Sequence, residues 1–286
     1  MFIYLFLKGF LFFFKILAII LFAINYALLY FYTLLKSNIA ILREFENLKL
    51  TAKISYYTFK NQIYRKLFIV NDIVLSTIVF VHETSGLCVD FINYIKDSVI
   101  YLKVNFVSND RVGYNYAAAN DVQESIVLES DMLQSITKNL PKNKIVVLEY
   151  FYGGPIILTD TTRCKKEVLR ASAFISNAEV ISRLFNFSQW NLTHWFVSPI
   201  WRQAAKKKLS YKNSFKNLKK KWSQNSNEIL AIYSDNNHLF PYLNSGKLAA
   251  QFPKEQIEMI QIRRGDHENI WNRFDFIREQ FNLCLN

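Results

Sequence analysis

The sequence predicts a membrane-anchored α+β protein, with one or two N-terminal transmembrane helices followed by a mixed, mainly helical extramembrane domain. Two apolar runs predict the anchor: Ile16–Leu35 has no charged residue, and Leu67–Val89 is also long enough to span a bilayer. From about Ser98 onward, apolar residues recur at helical spacing among polar ones, which predicts the domain. We therefore expect an anchor over residues 1–97 and an extramembrane α/β domain over 98–286.

The first predicted membrane helix covers about residues 10–35. Its apolar core is longer than that of a secretory signal, and large aromatic residues occupy the positions where a small-residue cleavage site belongs. Lys8 and Lys15 can extend their ammonium groups to one interface, and tyrosines near the other end are typical of an aromatic belt. The alternative is a helix buried inside a protein.

The second predicted membrane helix covers about residues 67–94. It carries Asn71, Asp72, His82 and Glu83. Ionisable residues at membrane depth usually face a protein interior, a cofactor or a transport pathway. A helix buried in protein, or lying partly in the interface, is the alternative.

The extramembrane domain has local signals for both helix and strand. They predict a helix over 121–140, a β-hairpin of 144–150 and 155–159 joined through Gly153-Gly154, a helix over 162–185, and a C-terminal helix capped by Asp266.

Composition narrows the class of protein. The chain has 25 Phe but only 7 Gly and 5 Pro, and it favours residues with AT-rich codons, as in an organelle-encoded protein of an AT-rich protist genome. So many aromatic residues exclude a disordered chain, and three distant Cys exclude a disulfide framework. We expect a protein of the mitochondrial inner membrane.

A basic strip over residues 202–221 holds nine basic residues and no acidic one. We expect it to contact anionic lipid such as cardiolipin. Binding of RNA phosphates is a less favoured alternative, and a solvated or subunit-facing surface segment is favoured over both. The strip consists of Arg202, Lys206, Lys207, Lys208, Lys212, Lys216, Lys219, Lys220 and Lys221.

The sequence shows no complete catalytic motif and no metal site. The four His are not paired at ligand spacing, the three Cys form no C-x-x-C, and no nucleophile signature is present. We therefore predict no catalytic residue and no metal.

One constellation stands at the end of the second apolar run: His82-x3-Gly86-x6-Asn93-Tyr94. On a helix, His82 and Gly86 lie one turn apart, and Asn93 returns to the same face after about three turns. A His on a membrane helix can bind haem iron, and a Gly one turn away leaves room for the porphyrin. The polar pair at the helix end can hydrogen-bond a quinone.

These thirteen residues resemble the small membrane-anchor subunit of succinate dehydrogenase, respiratory complex II, which has Asp where this chain has Asn93. The resemblance implies that His82 binds haem b and that Tyr94 donates a hydrogen bond to ubiquinone. We accordingly predict a non-catalytic or cofactor-holding subunit of a respiratory-chain complex, with the other subunits of a large membrane assembly as partners. A membrane-tethered mitochondrial ribosomal protein and an ATP synthase accessory subunit are the alternatives.

Overall fold

An eight-stranded β-sheet is the centre of the molecule. The structure is a computed structural model that describes residues 2–32, 35–84, 86–114, 125–172, 190–191, 197, 199–237, 243–265 and 272–285. The strands are β1 (Lys53–Phe59), β2 (Gln62–Ile69), β3 (Ser76–Val81), β4 (Val104–Asn109), β5 (Ile145–Glu149), β6 (Lys166–Arg170), β7 (Ile229–Ser234) and β8 (Ile257–Ile262).

The strand order in the sheet is β1-β2-β4-β3-β5-β6-β7-β8. The β1–β2 and β2–β4 pairs are antiparallel, and all pairs from β4 to β8 are parallel. Every residue of β4 and β5 is buried, as expected for central parallel strands that are covered on both faces. The largest core cluster is built around these strands.

Helices connect the strands and cover the sheet. They are α1 (Phe2–Tyr32), α2 (Asn38–Asn47), α3 (Ile92–Ile95), α4 (Ser98–Tyr101), α5 (Ile126–Thr137), α6 (Gly154–Thr159), α7 (Pro199–Trp222), α8 (Leu243–Ala249) and α9 (Phe274–Leu285). Among the described residues, one stretch, Lys8–Leu28 in α1, is helical, long and apolar enough to cross a membrane, and it is not buried in the molecule.

The second apolar run is not a membrane helix, so the fold class predicted from the sequence is wrong. Its residues form the end of β2, a turn, and β3. The turn lies at the polar residues: Asn71 Nδ2 donates to Val104 O at 2.8 Å, and Asp72 Oδ1 accepts from Val74 N at 3.0 Å. The β-branched residues of Ser76–Val81 then suit a strand that is buried between two neighbours.

Two local predictions in the second half of the chain are wrong as well. The segment after Gly153-Gly154 is not the second strand of a hairpin but the helix α6, and residues 166–170 form β6 where a helix is predicted. The predicted helix over 121–140 is present as α5, whereas residues 121–124 lie outside the described part of the chain. The C-terminal helix is present as α9; its predicted cap, Asp266, also lies outside the described residues.

Candidate active site

The carboxyl ends of β3, β4, β5 and β6 meet at one edge of the sheet. The chain passes from β3 to β4 on one side and then to β5 on the other side of β3. This reversal of direction makes β3 a topological switch point, and open α/β sheets bind their ligands outside the carboxyl ends of the strands at such a point. The loops that follow these strands are therefore the candidate site.

The turn after β5 is a tight connection from strand to helix. Tyr150 N donates to Val81 O at 3.3 Å, and the chain then reverses into a 3₁₀ turn and α6. Phe151 stands at the apex with φ = 62°, in the left-handed region that a bulky residue rarely adopts. Its ring is almost fully buried and meets the Tyr152 ring edge-on at 4.6 Å. An aromatic side chain thus occupies the apex of the turn.

Gly153 makes the close turn possible. A Cβ at this position would lie 2.7 Å from Val81 O and 2.8 Å from Glu149 Cβ. Because the backbone of β3 is one of these neighbours, a side chain cannot be accommodated by a simple rotamer change. Gly153 therefore allows α6 to begin directly against the carboxyl ends of β3 and β5.

Glu149 ends β5 and is buried beneath the turn. Its Oε1 accepts from Arg170 N at 2.8 Å and from the Ser172 hydroxyl. Burial raises the pKa of this carboxyl well above its usual range, although hydrogen bonds from the backbone and the nearby Arg170 and Arg111 oppose the shift. Glu149 thus joins the ends of β5 and β6.

His82 follows β3 and is held as a neutral imidazole. Its Nδ1 lies 2.7 Å from Glu83 O, which can only accept, so Nδ1 carries the proton. Its Nε2 accepts from Arg111 N at 3.2 Å. Burial, followed by the charges of Arg111 and Lys207, lowers the pKa of His82 well below its usual value. The ring therefore serves as a fixed link between the loops after β3 and β4.

Two buried ion pairs support these loops. Arg65 contacts Asp110 through Nε at 2.6 Å and Nη2 at 2.5 Å, and Asp110 Oδ1 accepts from Cys88 N at 2.8 Å. Lys207, on α7, contacts Glu129 Oε1 on α5 at 2.6 Å. All four charged side chains are fully buried. The pairs fix α5, α7 and the loop after β4 relative to the sheet edge.

The end of β7 carries an exposed acidic residue, Asp235. Its Oδ1 accepts from Arg264 N at 2.6 Å in the turn after β8. Five residues after β8 the sequence has His267, which lies outside the described residues. Phe151 and Asp235 thus follow β5 and β7 directly, and His267 follows β8 in the sequence.

Only part of the predicted haem and quinone constellation is brought together. Gly86 stands beside His82, because a Cβ on Gly86 would lie 3.1 Å from His82 Cβ. Asn93 is exposed on the short helix α3, whereas Tyr94 is buried and hydrogen-bonded to the Arg170 side chain. The expectation of haem b and ubiquinone depended on a membrane helix that the fold replaces by strand and turn; it stays a prediction.

The predicted basic strip forms most of α7, and its described side chains differ in environment. Lys206, Lys220 and Lys221 are exposed and Arg202 is half-buried, whereas Lys207 is the buried partner of Glu129. The side chains of Lys208, Lys212, Lys216 and Lys219 lie outside the described residues. Contact of the strip with lipid or RNA therefore stays a prediction for its exposed members.

Solved structures share this architecture. An α/β hydrolase enzyme from a Medee basin deep-sea metagenome library matches with a TM-score of 0.60 and 12% identity over 78% of this chain and 94% of its own. The thioesterase domain from the curacin biosynthetic pathway matches with a TM-score of 0.59 and 9% identity, over 82% of this chain and 100% of its own. A carboxylesterase from Bacillus subtilis matches with a TM-score of 0.59 and 7% identity, over 84% of this chain and 93% of its own. No protein-family model and no curated protein matches the sequence.

These similarities show that the chain has the α/β-hydrolase fold. The resemblance to the complex II anchor subunit is therefore wrong, and so is the respiratory-chain function with its ribosomal and ATP synthase alternatives. The thirteen-residue spacing is an accident of sequence, because His82 follows a strand and Asn93 lies on a separate short helix.

Sequence reasoning missed Phe151, Glu149, Arg111 and Asp235. A signal for the turn was present: a β-rich run, Lys144–Tyr150, is followed two residues later by two glycines and an apolar segment with Pro at its start. This order also suits a strand that enters a helix, since Pro is favoured in the first helical turn. Because the turn has no serine, the G-x-S-x-G motif of a nucleophile turn could not be recognised in the sequence.

Proposed function

We propose that this protein is a non-hydrolytic member of the α/β-hydrolase structural class, which binds a ligand at the carboxyl edge of its sheet without attacking it. The observation that carries the proposal is Phe151 at the apex of the turn after β5, with φ = 62°. In α/β-hydrolases this sharp strand-to-helix turn has the sequence G-x-S-x-G and exposes a nucleophilic serine at its centre.

The turn of this chain departs from that pattern at two of its three defined positions. Glu149-Tyr150-Phe151-Tyr152-Gly153 keeps the last glycine, places a buried carboxyl at the first, and places a phenyl ring at the serine position. A phenyl ring has no lone pair with which to attack a carbonyl and no proton to transfer to a base. Asp235 and His267 follow in the order of a catalytic acid and base, but the nucleophile they would serve is absent from the turn.

A fluorophosphonate probe tests the proposal, because it reacts covalently with activated serines. We expect that the full chain in mild detergent is not labelled and hydrolyses short p-nitrophenyl esters no faster than buffer. F151S restores a hydroxyl at the apex, and F151A is the matched control that removes the ring without supplying a nucleophile. Labelling of the wild-type protein at any serine would overturn the proposal.

Hydrolysis by a different nucleophile is the second candidate, and one observation favours it. Ser172, just after β6, donates its hydroxyl to the buried Glu149 at the same edge of the sheet. If the wild-type protein is labelled, peptide mapping of the adduct identifies the serine, and loss of labelling in S172A assigns the activity to Ser172.

A further inference from the structure

The segment that joins α1 to α2 is fixed at the carboxyl edge of the sheet. Lys36 O accepts from Arg65 Nη1 at 2.6 Å, and Asn38 Oδ1 accepts from the same nitrogen at 3.2 Å. Arg65 is fully buried and pairs with Asp110, which follows β4 and also accepts from Cys88 N in the loop after β3. The start of α2 therefore belongs to the same buried network as the loops of the candidate site.

The helix α2 leads the chain from the carboxyl edge toward the opposite edge, where the parallel strands begin and which we call the amino edge. Because β2 is antiparallel to β4, its first residues lie at the carboxyl edge and its last residues at the amino edge. After α2 the chain enters β1 at Lys53, which pairs with Phe68 near the end of β2. The chain thus arrives from α1 at the carboxyl edge and reaches the amino edge only afterwards.

The chain between the apolar stretch of α1 and the contact at Lys36 is short. The stretch ends at Leu28, and α1 continues as a helix to Tyr32, a rise of about 6 Å. The chain from Tyr32 to Lys36 reaches at most about 14 Å. Lys36 is therefore no farther than about 20 Å from the end of the apolar stretch. Tyr26 and Tyr30, whose ring centroids are 6.0 Å apart, lie at this end of α1, as tyrosines do at a membrane interface.

We propose that the carboxyl edge of the sheet faces the bilayer in which α1 is inserted, and that the amino edge faces away from it. The length of β2, from Gln62 to Ile69, separates the two edges by about 23 Å. The headgroup layer on each side of a bilayer is only about 5–8 Å thick, so the two edges cannot both lie in it. The loops of the candidate site are then the part of the sheet closest to the lipid headgroups. This orientation depends on the insertion of α1 and not on whether the turn after β5 is inert.

Three exposed isoleucines give matched positions for a fluorophore. Ile19 lies on α1 and is 67% exposed, Ile63 lies on β2 at the carboxyl edge and is 41% exposed, and Ile73 follows β2 at the amino edge and is 83% exposed. Each is replaced by Cys in a Cys164→Ser variant of the full chain, whose other two cysteines are buried. The variants are labelled with a nitrobenzoxadiazole maleimide and reconstituted in phosphatidylcholine vesicles. Nitroxide lipids, labelled either on the headgroup or on the acyl chain, quench only fluorophores that lie close to them.

We expect acyl-chain nitroxide to remove most of the fluorescence of I19C, and headgroup nitroxide to remove more fluorescence from I63C than from I73C. Equal loss at I63C and I73C, or a greater loss at I73C, would overturn the proposed orientation. An unquenched I19C would also overturn it, because α1 would then not be inserted. Thr58→Cys, on the strand beside Ile63 and paired with it, replaces I63C if that variant does not fold. None of these outcomes depends on the reactivity of the candidate site, which the fluorophosphonate probe tests separately.

Discussion

The turn after β5 has no room for a side chain at Gly153. A Cβ there would lie 2.7 Å from a backbone oxygen of β3, well inside van der Waals contact, and the oxygen belongs to a central strand with partners on both sides. We expect Gly153→Ala to lower the free energy of unfolding by about 1–3 kcal/mol, as other overpacked core positions do. Urea denaturation followed by circular dichroism measures the change.

Gly246 supplies the control for that substitution. It lies within α8, and a Cβ there would meet no atom within 4 Å. Gly246→Ala should therefore raise the free energy of unfolding by up to about 1 kcal/mol, the difference in helix propensity between the two residues. Equal effects of the two substitutions would show that the contact with Val81 O does not limit the turn.

The residues of the candidate site could be predicted from the sequence only in part. His82 is predicted as a site residue from a spacing that is meaningful only on a helix. In the structure it follows β3, and its Nε2 accepts a hydrogen bond from Arg111 N. Phe151 carries no signal of its own, because a left-handed φ at an aromatic residue is imposed by the surrounding fold and cannot be derived from local propensity. Lys207 belongs to a strip of like residues, and only its tertiary contact with Glu129 distinguishes it.

At the scale of elements, secondary structure is predicted best where apolar residues recur with the helical period over several turns. The helices α5 and α9 follow amphipathic patterns and are confirmed in their described parts. The run Leu67–Val89 was misassigned because a continuous apolar segment suits a buried strand as well as a helix. Its polar pair Asn71-Asp72 marks the turn between β2 and β3, although the same pair can also be interpreted as an interruption of a membrane helix.

The helix α1 keeps its predicted membrane role as an untested expectation. The stretch Lys8–Leu28 has a mean hydropathy of 2.3, and none of its residues is buried in the molecule. An apolar helix of this length that the fold leaves uncovered is expected to partition into a bilayer. We expect carbonate-washed membranes to retain the full chain, and a variant that lacks residues 1–35 to be released.

A pair of outcomes decides the role of α1. Release of the full chain by carbonate would contradict insertion. Retention of the shortened variant would assign membrane attachment to another part of the molecule, with the exposed lysines of α7 as the first candidates.

At the scale of the whole molecule, the sheet unites parts of the chain that the sequence separates. The strands β1 to β3 precede residue 97, and β3 is inserted between β4 and β5, both of which follow it. Non-local pairing of this kind has no signature in local periodicity, from which the sequence predicts a division near residue 97. The sheet contains strands from both sides of that residue, and the predicted domain bounds of 1–97 and 98–286 stay a prediction.

The position of β3 between β4 and β5 predicts which fragments of the chain can fold. A fragment of residues 98–286 lacks β3, so β4 and β5 each lose a parallel partner and expose apolar edges in the middle of the core. We expect this fragment to aggregate or to unfold without a cooperative transition. A fragment of residues 36–286, which keeps all eight strands, should unfold in one cooperative transition by circular dichroism and by tryptophan fluorescence. A cooperative transition of the 98–286 fragment would instead show that the second part of the chain is an independent domain.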